Sequence, residues 1–153
     1  MFKYLLSPHL PSSNTVSLIT LWTRIIIGML FLNHGIEKWM NFNSLVETFP
    51  DPLWLGSTIS LILVIFAEVF CAFAFIFGIF FRIALIPMII NMSVAFFVVH
   101  NDMPLSIKEL ALLYLIIFVA CFIAGPGRYS VDHIFTRKCC NTTEKYNEIE
   151  LDI

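Results

Sequence analysis

Six ionisable residues stand in or beside stretches that are otherwise apolar: Arg24, His34, Lys38, Glu68, His100 and Glu109. A charge in hydrocarbon costs roughly 3 kcal/mol on insertion scales, so each needs a partner or a polar cavity. Arg24 lies about 15 Å along its helix from Asn14, and Glu68 about 17 Å along the next from Ser57, at 1.5 Å per residue. In a bilayer core about 30 Å thick both fall near the midplane. Opposite charges at matched depth on consecutive antiparallel helices predict an Arg24–Glu68 ion pair. His34 and Lys38 share one helix face through their i, i+4 spacing. His100 ends the third helix and Glu109 opens the fourth, at the same membrane level. The set predicts a polar, proton-active pocket between helices, floored by Arg24–Glu68. Histidines there exchange protons near neutral pH, and Glu68 and Glu109 are the candidate proton relays. The plainer reading keeps Arg24–Glu68 as a register pin and leaves Lys38, His100 and Glu109 in wet headgroups.

The elements that must position these residues are four apolar helices, at about 15–38, 57–77, 83–100 and 107–124. Ser12-Ser13-Asn14 offers N-caps for the first, and Gly125-Pro126-Gly127 stops the last. Residues 40–55, with two prolines, two acids and Trp54, form a loop or surface helix at the membrane boundary, where Trp39 also sits. Pro87 bends the third helix or occupies its first turn. Arg24, Gly28, Phe31, Gly35 and Lys38 make one stripe on the first helix, with glycines that permit close packing. Glu109, Leu113, Ala120 and Ala124 make a comparable stripe on the fourth. Asn91 falls opposite His100 on the third and is read as an interhelical hydrogen-bonding residue.

Composition fixes the class. Of 153 residues 59% are hydrophobic and 13% charged, and mean hydropathy is +0.87. A soluble domain carries about 25% charged residues, and a soluble four-helix protein needs polar faces that these windows lack. The chain is therefore an all-α membrane protein, a four-transmembrane-helix bundle, divided as an N-terminal segment 1–14, a membrane domain 15–132 and a polar tail 133–153 expected to be disordered. Lys3, Arg82, Arg128, Arg137, Lys138 and Lys145 fall on one side of the membrane and only Lys38 and Lys108 on the other. The positive-inside rule then places both termini in the cytoplasm. The N-terminus lacks the features of a cleaved signal peptide, so the first helix stays as an anchor. Cys71 and Cys121 read as packing residues, Cys139-Cys140 lie in the tail, and no redox or haem-attachment spacing occurs. A net charge of −2 gives no reason to expect nucleic acid. Two histidines on separate helices also admit a haem reading, which nothing else in the sequence supports. No H-E-x-x-H or other metal spacing is present.

These residues resemble the DoxX family of small four-helix bacterial membrane proteins across about residues 20–135. The matching pieces are R-I-I-I-G-M-L-F-L-N-H-G-I-E-K (Arg24 to Lys38), Glu68, F-G-I-F-F-R-I-A (Phe77 to Ala84), His100, K-E-L-A-L-L-Y (Lys108 to Tyr114) and G-P-G-R-Y-S-V-D (Gly125 to Asp132). Phe80-Phe81 before Arg82, and Lys108 beside Glu109, depart from the family pattern. The resemblance implies a bacterial inner-membrane location and a link to quinone-dependent oxidoreduction, as a subunit or component with a partner subunit. For such a function Arg24, His34, Lys38, Glu68, His100 and Glu109 are the quinone-site candidates. Gly28, Gly35, Arg82, Gly125, Pro126, Gly127 and Asp132 are read as structural.

A quinone site needs an apolar slot, donors to two oxygens and a proton route, which Arg24, His34, Lys38 and His100, with Glu68 and Glu109, are equipped to supply. No flavin, haem or iron–sulfur motif is recognisable, so electrons would come from a partner. Three functions stay open: a quinone-binding oxidoreductase subunit, a small-molecule or proton-coupled transporter, and a scaffold without chemistry. Against transport, the four spans show no paired broken-helix repeat. The partners expected are the lipid bilayer, an oxidoreductase subunit and further copies of the chain.

Overall fold

The computed structural model describes residues 14–52 and 54–133. The segment before Asn14, the tail beyond His133 with Cys139 and Cys140, and Lys3, Arg137, Lys138 and Lys145 lie outside the described residues. Four helices are long and apolar enough to cross a membrane: α1 (Asn14–Met40), α2 (Ser57–Phe77), α3 (Phe81–Val99) and α4 (Leu105–Ala124). Large apolar side chains such as Trp22, Ile26, Phe73, Ile90 and Ile116 face outward, as a lipid-embedded surface requires. A one-turn helix, Phe42–Leu45, follows α1. The chain runs up and down, so Asn14, residues 78–80 and residues 125–133 share one end, the terminal end. Residues 41–56 and 100–104 share the other, the loop end.

The turn between α2 and α3 shows how local chemistry sets the bundle. Gly78 takes φ +70°, Ile79 N–H bonds Ala74 O at 2.9 Å, and Gly78 N–H bonds Phe75 O at 3.2 Å. This is a Schellman termination, for which glycine has no Cβ penalty. Phe80 follows in the left-handed region at φ +45°, costly for a bulky residue. The Asp132 carboxylate holds it there, accepting the Phe80 and Phe81 N–H groups at 2.9 Å each. A residue remote in sequence thus caps α3. At the loop end Asp51 fixes the approach to α2, accepting from Leu55 N–H, Gly56 N–H and the Ser60 hydroxyl.

The core between the helices is aromatic. Phe31 of α1 meets Phe118 edge-on at 4.9 Å and Tyr114 at 5.2 Å between ring centroids, and Phe75 stacks on Phe81 at 5.4 Å. The α1 stripe is the buried face: Arg24, Gly28, Phe31 and Gly35 all pack inward. Gly35 touches α2 so closely that a Cβ there would sit 2.8 Å from Glu68 Cβ. The α4 stripe is different from the expected one. Leu113 is exposed and Glu109, Ala120 and Ala124 also face outward, while Tyr114, Phe118 and Cys121 are buried. Because α4 is apolar all round, small residues did not mark its inner face; the large aromatic ones did. Cys71 and Cys121 are buried free thiols.

Two turns depart from α geometry. Phe66–Phe70 in α2 and Ala95–Val99 in α3 are π-helical. Each wide turn accommodates one extra residue and rotates the side chains beyond it about the helix axis. Glu68 lies within the first and His100 directly after the second.

Candidate functional site

Arg24 and Glu68 do not pair. The guanidinium, 1% exposed, donates to Phe75 O at 3.0 Å, Ile76 O at 2.7 Å and Pro126 O at 2.9 Å, with a longer contact to Tyr129 O at 3.5 Å. Its carbon lies 5.5 Å from the Phe81 ring centroid. The acceptors are the last carbonyls of α2, which have no partner within their own helix and carry its negative dipole end, together with carbonyls of the segment after α4. The reason for the difference is depth. With 27 residues, α1 is longer than its neighbours. At roughly 40 Å it exceeds a core of about 30 Å, so its first turns project past the end of α2. Arg24 is therefore level with the end of α2, and Glu68 with Gly35, about 16 Å further along α1.

The terminal end is a latch around that arginine. Gly127 approaches Ser17, whose hydroxyl accepts Arg128 N–H at 3.3 Å, and Arg128 Nη1 bonds Asn14 Oδ1 at 2.8 Å. The G-P-G-R-Y-S-V-D segment thus ties α1, the α2–α3 turn and the end of α4 together. Gly28, which packs against Phe75 and Ile76, supports the same contact.

Glu68 has other partners. Its carboxylate, 4% exposed, forms an ion pair with Lys38 and accepts a hydrogen bond from Asn91 Nδ2 at 3.1 Å. Three helices supply this cluster. A buried carboxylate survives only when paired and hydrogen-bonded, and Lys38 and Asn91 meet both requirements.

The cluster lines a cavity of about 680 Å³ that extends toward the loop end. Phe31, His34 and Lys38 of α1, Glu68 of α2, Asn91 of α3 and Tyr114 of α4 all contribute to it, as does His100. His34 meets Tyr114 edge-on at 6.1 Å. The His100 ring is fixed by Nδ1, 2.7 Å from Ala95 O. In a regular helix, nine residues at 100° each would put His100 opposite Asn91. The π turn at Ala95–Val99 takes up one residue and brings both onto the cavity. Four of the six candidates therefore converge: His34, Lys38, Glu68 and His100. Two do not. Arg24 belongs to the latch, and Glu109 is exposed away from the cavity, with neighbouring Lys108 over the Phe96 ring at 5.2 Å.

A family model described as DoxX matches residues 19–101, more than half of the chain. The chain belongs to the DoxX family. It is a multi-pass membrane protein of that family, and the matched region carries Arg24, Glu68 and the cavity residues from α1 to α3. A Haemophilus influenzae protein described only as uncharacterised is 27% identical over 130 residues, covering 80% of this chain and 85% of the relative. No solved structure matches. In this DoxX-family chain the residues missed as cavity groups are Tyr114 and Asn91. Tyr114 carries the one phenol of α4, a signal available within K-E-L-A-L-L-Y. Asn91 was legible as a hydrogen-bonding residue, but the π turn hid its shared face with His100.

Proposed function

We propose that this DoxX-family protein is a quinone-interacting component of a membrane oxidoreductase system. The observation that carries this reading is the Lys38–Glu68–Asn91 cluster, with Glu68 buried and its two partners half-buried, lining a cavity that is otherwise mostly apolar. A quinone ring is flat and apolar on its faces, with an oxygen at each end, and suits aromatic walls bearing a few placed polar groups. Phe31 and Tyr114 supply ring walls. Lys38 has three N–H donors, of which Glu68 takes one, so a ligand oxygen can take another.

His100 adds a group whose role depends on its proton. Nδ1–H donating to Ala95 O leaves Nε2 for a ligand. Neutral His100 then accepts from a hydroxyl of the reduced ring, whereas protonated His100 donates to a carbonyl of the oxidised ring. A bound quinone supplies two-electron, two-proton chemistry, with electrons exchanged with a redox partner subunit. The chain's own residues bind and orient the ring and hold the exchangeable protons.

The excess of Lys and Arg at the terminal end supports a bacterial inner-membrane arrangement with both termini cytoplasmic and the cavity toward the outer leaflet. The test is purification in mild detergent, mass spectrometry of extracted quinones, and titration with a benzoquinone analogue. Retained or saturable quinone is expected, with affinity about tenfold weaker for Glu68→Gln, a loss near 1.4 kcal/mol. Absence of both retained and titratable quinone overturns the reading.

A further inference from the structure

We infer that the ligand of this cavity carries a long apolar chain and passes between α2 and α3 directly from the bilayer. The inference rests on the quinone reading for the head group and adds the tail and its route. Leu63 and Phe66 of α2 and Ile90 of α3 line the cavity and remain 49, 48 and 56% exposed, so the cavity is open beside them. Half-exposed lining residues border an opening, or breach; Ile107 and Leu110 of α4 border it near the loop end, and Phe66 and Ile90 border it at greater depth. Phe66 and Ile90 each lie about 14 Å into their helices, near the middle of a core about 30 Å thick. The breach therefore opens into hydrocarbon.

Its position matches the polar cluster. Phe66 and Glu68 of α2 and Ile90 and Asn91 of α3 line the same cavity, so a ring held by Lys38, Glu68 and Asn91 has the gap within reach of its substituent. The backbone accounts for the gap. The short Gly78 turn pins α2 and α3 together at the terminal end. Beyond it Pro87, which lacks a helix N–H, and the two π turns interrupt regular packing. At the loop end the wall is Phe49, Pro50 and Pro52, beside Asp51, whose carboxylate bonds Gly56 N–H and the Ser60 hydroxyl. A single ring also occupies only a minor part of 680 Å³, leaving room for the start of a chain.

The test uses the purified full chain and two quinones with the same ring, one bearing a decyl tail and one bearing a methyl group. The wild type is expected to bind the decyl form about tenfold tighter or more. Ile90→Trp and Leu63→Trp narrow the breach from opposite sides. Each should weaken decyl-quinone binding by about tenfold and change methyl-quinone binding by less than about threefold. Ile123→Trp, on the outer face of α4 and outside the cavity, should leave both unchanged. Equal wild-type affinity for the two quinones, or decyl binding unaltered by both breach variants, overturns the inference and leaves the quinone reading standing. Binding of neither quinone overturns both. Circular dichroism verifies folding, and if one tryptophan variant misfolds the other decides.

Discussion

Arg24 and Glu68 are both ionisable groups placed in apolar surroundings, and each is satisfied by different chemistry. A guanidinium has five donors in a plane and suits carbonyls arriving from several directions, whereas a carboxylate needs donors. Backbone carbonyls have no sequence signature. The sequence thus shows that Arg24 requires a partner but leaves the main chain invisible as the candidate, and Glu68 stands out as the nearest acid. Arg24→Leu strands several carbonyls at about 1–3 kcal/mol each. Adding Glu68→Leu should give no relief, with the two losses additive within about 0.5 kcal/mol by thermal unfolding in detergent. Lys38→Met behaves oppositely. It leaves Glu68 buried without its cation and should cost about 3–5 kcal/mol, most of it recovered in the Lys38→Met, Glu68→Leu double variant. A double variant no more stable than Lys38→Met would refute the pairing.

Elements place these residues, and here legibility follows the regularity of the backbone. The four helices and the inner face of α1 are readable because apolar length and small-residue spacing report them directly. The π turns are not, because one extra residue per turn has no compositional mark, and every facing assignment beyond such a turn is rotated. Deleting Phe97, an exposed residue inside the second π turn, should restore an α turn and swing His100 by about 100°. The expected result is near-normal helicity by circular dichroism with quinone affinity reduced. Unchanged affinity would show that His100 does not need the π turn to reach the ligand. Gly35→Ala probes the α1–α2 contact. Its new methyl meets Glu68 backbone and side-chain atoms, so overpacking of about 1–3 kcal/mol should appear as a lowered Tm. Asp132→Ala removes the cap from α3 and the support of Phe80, for a loss of about 1–2 kcal/mol in chemical denaturation.

As a whole the molecule has two unlike ends. The terminal end is closed by hydrogen bonds from a remote segment, and the loop end holds a cavity with ionisable walls. Composition and helix count reveal the bundle, and the ordered motifs from Arg24 to Asp132 reveal the family. The division of labour between the ends was hidden, since it depends on how far α1 projects past α2. Substitutions in the G-P-G-R-Y-S-V-D segment, such as Gly127→Val against Ser17, should therefore lower Tm while a quinone titration below the transition keeps its wild-type midpoint. A parallel loss of ligand affinity at full folding would contradict that separation.

The arginine latch also has a consequence for how the chain is made. Arg24 leaves the ribosome some fifty residues before its α2 acceptors and about a hundred before Pro126. During that interval α1 carries an unsatisfied guanidinium, which disfavours settling deeply among lipids. The last-synthesised part of the domain completes its coordination. A chain interrupted before Gly125 would therefore lack the Pro126 carbonyl, and the latch can close only once the end of the domain has been made.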